Sequence, residues 1–262
     1  MRDPWSVLTE HQQTVAKAFI AAREAERKHL VVYLSGAHAY GFPSPDSDLD
    51  LKCVHIAPTA SLVGLDVVEE PSDRIEIVDG VELDYGSNEL APVLRGAIKG
   101  NGNYLERILG ELVLGGNPAL LAEAREVVRP LLSRRCARHY AGFATSQLKL
   151  FDEKPTAKRA LYVLRTAGTG IHLLARGELV IDLERLRDHL PDEVDELLTI
   201  KRTGERSELE QTHAAAWRGR LAEVIEAIDR HWRTAVIPPE PPTTKIAAAD
   251  EWLRRVRKAH WD

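Results

Sequence analysis

The residues of this chain whose types and spacing could do chemistry lie in SDLDLKCVHI, where Asp48 and Asp50 alternate with apolar neighbours. Successive side chains of a strand point to opposite faces, so burying Leu49, Leu51 and Cys53 puts Asp48, Asp50 and Lys52 together on the other face. Two close carboxylates repel unless a cation sits between them or one is protonated. Oxygen-only ligands with room for water and phosphate suit Mg²⁺, with Mn²⁺ as its alternative. A pair of such ions steadies the attacking and the leaving oxygen of an in-line displacement at phosphorus. A solvated strand edge carrying two aspartates is the other reading of the tripeptide taken alone. The preceding stretch, SGAHAYGFPSP, favours phosphate chemistry. Gly36 closes an apolar run, and the small residues around it let backbone N–H groups approach a phosphate closely.

Such residues need a sheet to hold them and helices to cover it. Val7, Leu8, Val15, Phe19 and Ile20 recur at helical spacing, which predicts an amphipathic helix over Pro4–Lys28. Leu30–Leu34, Asp48–Ile56, Arg74–Val78 and Val81–Asp84 read as strands, with Asp79-Gly80 as a hairpin turn. From Ser87 the pattern turns helical. Asn117-Pro118 caps a helix over Ala119–Leu132, and Thr156 caps one over Ala157–Ala175 that ends near Gly177. Asp182–His189, Asp192–Arg202 and Glu208–Arg233 read as further helices. IPPEPPTTK (Ile237–Lys245) reads as an extended linker and Ala248–His260 as a basic helix. The expected class is α+β, a small mixed sheet with helices on one face in 1–115, a mainly helical domain in 116–236, and linker plus basic helix in 237–262.

The 262 residues carry 35 Lys+Arg against 40 Asp+Glu, a net charge of −5, so a nucleic-acid partner would need a local basic face. The balance of 44% apolar and 29% charged residues is that of a globular protein. No apolar run has the length of a membrane span, and MRDPWSVLTEHQQ lacks the pattern of a signal peptide. A cytoplasmic protein without a membrane partner is expected. Cys53 and Cys136 fit neither a disulfide framework nor a zinc site. The oligomeric state is left open by the sequence.

A glycine and a small residue, about ten intervening residues, then Asp-x-Asp resembles the nucleotidyltransferases of the DNA polymerase β superfamily. GAHAYGFPSPDSDLDLKCVHI is more specific, and resembles the GSRAYGxxxxxSDxDxRGV pattern of the RNA-repair-pathway DNA polymerase β family of predicted nucleotidyltransferases. The similarity continues through ELDYGSNELAPVLRGAIKGNGNYLERIL, HYAGFATSQLKL and KRALYVLRTAGTGIHLLARGEL, and so covers roughly Leu30 to Leu179. The resemblance implies an enzyme that moves a nucleoside monophosphate from an NTP onto a hydroxyl, with an RNA or tRNA end as acceptor. It assigns Asp48 and Asp50 to two Mg²⁺ ions. The superfamily's third acid completes the metal site or acts as base on the attacking hydroxyl. Glu76, Glu82 and Asp84 all lie on the expected strands, and the resemblance selects Asp84, just before the helix start at Asn88-Glu89-Leu90.

By the same resemblance the nucleotide's phosphates fall to Gly36, Ala37, His38 and Ser47. The family's Ser is Ala37 here and its following Arg is His38. The lost hydroxyl removes one hydrogen bond, worth roughly 0.5–1.5 kcal/mol net. Lys158, Tyr162 and Arg165 share one helix face, similar to a family helix with basic residues, which makes Lys158 and Arg165 candidates for triphosphate contact. A solvated helix face accounts for them equally well. Asn101 reads as a helix cap, the Arg134 and His139 pair as coincidence, and the tail LRRVRKAHW as an amphipathic helix that packs. Alternative acceptors are a small molecule such as an aminoglycoside, or a protein side chain as in toxin–antitoxin pairs. A non-catalytic nucleotide-binding regulator is the reading from another class.

Overall fold

In the computed structural model, which describes residues 3–63, 65, 72–202 and 208–262, Thr9 opens the first helix, α1 (Glu10–Glu26). Its side chain accepts from the Gln12 amide while the Gln12 side chain reaches back to the Thr9 amide. Pro4–Val7 is a separate 3-10 turn and Lys28 already belongs to a strand, so the helix expected over Pro4–Lys28 is corrected at both ends. There follow β1 (Lys28–Leu34), α2 (Gly36–Tyr40), β2 (Leu49–Ile56), β3 (Ser72–Val78) and β4 (Val81–Glu89). Next come α3 (Leu90–Ile98), α4 (Gly102–Leu109), β5 (Val113–Gly116) and α5 (Pro118–Val128). The helices α6 (Cys136–Glu153), α7 (Ala157–Arg176), α8 (Val194–Lys201), α9 (Gln211–Thr234) and α10 (Thr243–Ala259) complete the chain. It divides into two compact units, one of Met1–Gly36, Asp48–Leu131 and Pro241–Asp262, the other of Ala37–Ser47 and Leu132–Glu240.

The first unit holds a five-stranded sheet in the order β3-β4-β2-β1-β5, with β2 and β4 parallel and the other neighbours antiparallel. The composition of β2 decides where helices are needed. Leu49, Leu51 and Cys53 are fully buried on one face, with Val32, Leu34, Leu83 and Tyr85 beside them and Val15, Ala16, Phe19 and Ile20 of α1 closing that side. On the other face Asp50 and Lys52 give way to Val54 and Ile56, so only the far half is apolar. There α3 and α4 pack against the strand, and Arg107 of α4 donates to the Cys53 carbonyl at 3.1 Å and to the Asn88 side chain. The expected α+β class holds: helices cover this sheet where β2 is apolar, α1 over Leu49, Leu51 and Cys53, and α3 with α4 at its far half.

Other boundaries move for local reasons. Asp79 (φ 48°) and Gly80 (φ 79°) make the expected hairpin turn in the left-handed region. β4 runs past Asp84 to Glu89 because β2 pairs with it that far, and Glu89 then caps α3. β5 escapes the pattern reading because half of it is glycine; a Cβ on Gly116 would lie 2.5 Å from the Leu30 carbonyl oxygen. The linker expected over Ile237–Lys245 is corrected too: Pro242 is an N-cap and Thr243 already opens α10. Ala249, Trp252 and Val256 bury one face of that helix, Trp252 Nε1 donates to Glu123 at 2.9 Å, and Arg257 pairs with Glu89 at 2.6 Å. The basic tail thus packs as an amphipathic helix.

A buried polar pair sits on the α1 side of the sheet. His29 and His55 are register partners, each 6% exposed; His29 Nε2 shares a hydrogen bond with Tyr85 Oη and His55 Nδ1 with Ser87 Oγ, both at 2.8 Å. Burial first, and the Arg27 charge second, lower both imidazoles to about 4. The unfolded chain then takes up protons at a higher pH than the folded one. Stability is full above about pH 6.5 and is lost as pH falls toward 4, by an order of about 3 kcal/mol for each imidazole at most. We expect the melting temperature to drop between pH 7 and 4.5, and His29→Gln/His55→Gln to flatten that slope; an unchanged slope would refute the assignment.

In the second unit α7 is buried along nearly its whole length, and Gly170 lets Tyr140 of α6 come so close that a Cβ there would lie 2.7 Å from the tyrosine Cβ. Thr156 caps α7 and Gly177 (φ 72°) ends it, as expected. Asp182–His189 contains a 3-10 helix (Leu183–His189) in place of the expected α-helix. Glu208 pairs with Thr156 in a β-bridge, so α9 starts later than expected, at Gln211. α6 lies outside the pattern reading. Arg134 donates to the Ala235 and Ile237 carbonyls, both at 3.2 Å, which ties down a chain segment and needs no partnership with His139. Cys53 and Cys136 are buried free thiols that burial pushes up to about 12. No helix among the described residues is long and apolar enough to cross a membrane.

Candidate active site

β2 and β4 run parallel with Leu49 opposite Leu83, Asp50 opposite Asp84 and Lys52 opposite Gly86. Paired residues point to one face, so when the leucines enter the core the two aspartates emerge side by side on the far face. Asp48 stands one residue before β2, partly exposed. Of the three acids weighed for the third position, Glu76 pairs with Leu83 and shares its core-side face, while Glu82 pairs with Ile77 ahead of the first β2–β4 pair. Asp84 is the one in register with Asp50.

The end of β1 closes on this pair. The Ser35 amide donates to the Asp50 carbonyl at 2.8 Å, and Gly36 follows with φ +68°. A Cβ on Gly36 would lie 1.8 Å from Asp50 Oδ2. The glycine singled out in the sequence for phosphate approach therefore also makes the space that a carboxylate occupies. Lys52, which sequence reasoning put on the acid face without a role, has its Nζ 2.6 Å from Asp84 Oδ1 and 3.4 Å from the Asp84 carbonyl oxygen.

The second unit carries the rest of the loop and the basic helix. Ala37 is 2% and His38 7% exposed, and the Phe42 amide donates to the Ala37 carbonyl at 3.1 Å. Ser47 Oγ accepts from the Ser44 amide at 3.0 Å, so its hydroxyl is engaged in closing the loop. Lys201, 1% exposed on α8, donates to Ser44 Oγ. Tyr40 and Phe42 each meet the Tyr162 ring at a centroid distance of 5.7 Å, and the buried Arg165 guanidinium stacks 3.8 Å from the Tyr40 centroid. Lys158 Nζ lies 5.9 Å from the Tyr162 ring. Lys158, Tyr162 and Arg165 thus share one face, as their spacing requires, and that face holds the aromatic part of the loop. Tyr40, Phe42 and Lys201, which hold this loop, are not singled out by the sequence reading. The aromatics flank the loop's glycine and proline and could have been noticed; nothing in the local sequence marks Lys201.

An all-oxygen donor set has the chemistry for a hard divalent ion. Among the described residues no group of three His, Cys, Asp or Glu side chains stands ready to hold one, and Asp84 faces Lys52. Asp48 and Asp50 are the residues whose oxygens would hold such an ion, and the Asp84 carboxylate is paired with Lys52.

A small mixed sheet with acids in register on neighbouring parallel strands, beside a glycine turn, marks a nucleotidyltransferase-like chain. This chain belongs to the RNA repair pathway DNA polymerase beta family, whose model matches residues 12–255. An uncharacterized protein of Methanocaldococcus jannaschii is similar at 27% identity over 160 residues, 60% of this chain and 65% of that protein, so the chain spans just under two thirds of this curated relative. A nucleotidyltransferase-like protein from Exiguobacterium sibiricum 255-15, solved by crystallography, aligns with 95% of this chain and 80% of its own at 10% identity, with a TM-score of 0.35.

Proposed function

We propose that the protein is a metal-dependent nucleotidyltransferase that moves a nucleoside monophosphate from an NTP onto a hydroxyl, with an RNA end as the acceptor. The observation that carries this reading is the register of Asp50 with Asp84 beside Gly36, in a chain of this family. Asp48 and Asp50 hold Mg²⁺, or Mn²⁺ in its place, and Asp84 completes the set. Bound Mg²⁺ supplies charge to offset the triphosphate and to polarise the phosphoryl centre. The backbone amides of Gly36, Ala37 and His38 and the Ser47 region orient the β- and γ-phosphates, with Lys158 adding positive charge. Arg165 acts through Tyr40 to keep that loop in place. Asp84 also accepts the proton of the acceptor hydroxyl.

The test is incubation of α-labelled NTPs with bulk RNA or tRNA and Mg²⁺. Wild type is expected to label the RNA, and the Asp48→Ala/Asp50→Ala variant is not; equal labelling by the two would end the catalytic assignment. One set of observations favours a second reading, that of a nucleotide-binding regulator: Ala37 replaces the family's serine and Ser47 is engaged within its own loop. Metal-dependent NTP binding without turnover on RNA, aminoglycoside or protein acceptors would decide for it.

A further inference from the structure

The face that carries Asp50 and Asp84, just after Asp48 in the chain, also carries an ammonium, and its position is specific. Lys52 lies two residues beyond Asp50 on the same side of β2, and it reaches diagonally to the residue that pairs with Asp50. The contact is an ion pair of 2.6 Å between side chains 24% and 33% exposed, so water screens it only in part. The register partner of Lys52 is Gly86, and its missing side chain leaves a slot. The point a Cβ would occupy there lies 2.7 Å from Asp73 Oδ1 and 3.7 Å from Lys52 Nζ. A second carboxylate therefore borders the same slot as the ammonium, on the neighbouring edge strand.

We propose that Lys52 is a built-in counter-ion of Asp84, which a divalent cation has to displace, and that Asp73 receives the displaced ammonium across the Gly86 slot. The inference rests on the metal-site reading above and deepens it. Without an ion, three acids in a short stretch of sheet repel each other, and Lys52 offsets part of that charge. When an ion binds, the ammonium and the ion compete for one carboxylate. The ion then enters Asp84's share of the site only as Lys52 turns to Asp73, which keeps the ammonium paired and on the sheet. Lys52 is thus a positioning residue that sets ion affinity before nucleotide arrives. A lysine present only to tie β2 to β4 would leave ion affinity untouched.

The experiment is Mn²⁺ binding to the nucleotide-free protein, read by electron paramagnetic resonance, with thermal melts as the check on folding. Lys52→Met is expected to bind Mn²⁺ about tenfold more tightly than wild type, since a competing unit charge is gone. Lys52→Arg stays near wild type, and Asp50→Asn added to Lys52→Met abolishes the gain. Asp73→Asn, on an exposed edge and so independent of whether Lys52→Met folds, is expected to weaken Mn²⁺ binding several-fold because the displaced ammonium loses its second partner. Wild-type binding that Lys52→Met leaves equal or weaker, or that Asp73→Asn leaves unchanged, overturns the counter-ion role while the metal site stands. No Mn²⁺ binding by wild type or Lys52→Met overturns both.

Discussion

On the proposed function, Asp50→Asn is expected to lower nucleotidyl transfer by about a thousandfold or more, near 4 kcal/mol of transition-state stabilisation, while the melting temperature stays within a few degrees of wild type. The asymmetry follows from where the side chain lies. Asparagine has nearly the shape of aspartate, so it fills the space beside Gly36 as the carboxylate does, and the main-chain bond from the Ser35 amide to the Asp50 carbonyl is untouched. Removing one of several neighbouring negative charges even relieves repulsion in the ion-free protein. The expected loss falls on the charge that we propose holds the ion, which shape cannot replace. Glu76→Gln is the matched control: its side chain lies on β3, but its pairing with Leu83 puts it on the other face, and it should leave transfer unchanged. Equal rates for wild type and Asp50→Asn under saturating NTP and Mg²⁺ would remove Asp50 from the reaction.

That contrast between Glu76 and Asp84 shows how far the sequence could be read. Alternation alone separated Leu49, Leu51 and Cys53 from Asp48, Asp50 and Lys52, because a strand's period is local and one buried face fixes it. Which of Glu76, Glu82 and Asp84 meets Asp50 is a question of register between strands far apart in the chain, and composition carries no direct signal of that. The pairing of Leu49 with Leu83 decides it in the structure. The caps at Thr156, Asn117 and Gly177 were legible for the same local reason. β5 and the first turn of α10 were not, since glycine hides a strand and a proline cluster hides the helix it caps. The Lys52–Asp84 and Lys201–Ser44 contacts are long-range as well, so only the fold reveals them. Arg165 is the instructive middle case. Spacing placed it on the face it shares with Lys158 and Tyr162, and only the fold reveals that it is buried against the Tyr40 ring.

Gly36→Ala should damage both stability and activity, and the way the two losses couple to Asp50 is the sharper expectation. At φ +68° an alanine pays about 1–2 kcal/mol for the left-handed backbone alone. Its Cβ would also fall 1.8 Å from Asp50 Oδ2 and 2.7 Å from Asp50 Cγ, separations no real Cβ tolerates, so the carboxylate has to leave. The melting temperature should drop by several degrees, and transfer by about a hundredfold or more, because the displaced acid no longer faces Asp84. In an Asp50→Ala background the two severe contacts vanish and only the one of 3.1 Å to the residue-50 Cβ remains. There, Gly36→Ala should cost little beyond the backbone term, and the double variant should be more stable than the sum of the singles by about 1 kcal/mol or more. Additive stabilities in that cycle would mean that Gly36 and Asp50 do not share the space between β1 and β2. The glycine would then owe its place to the turn alone.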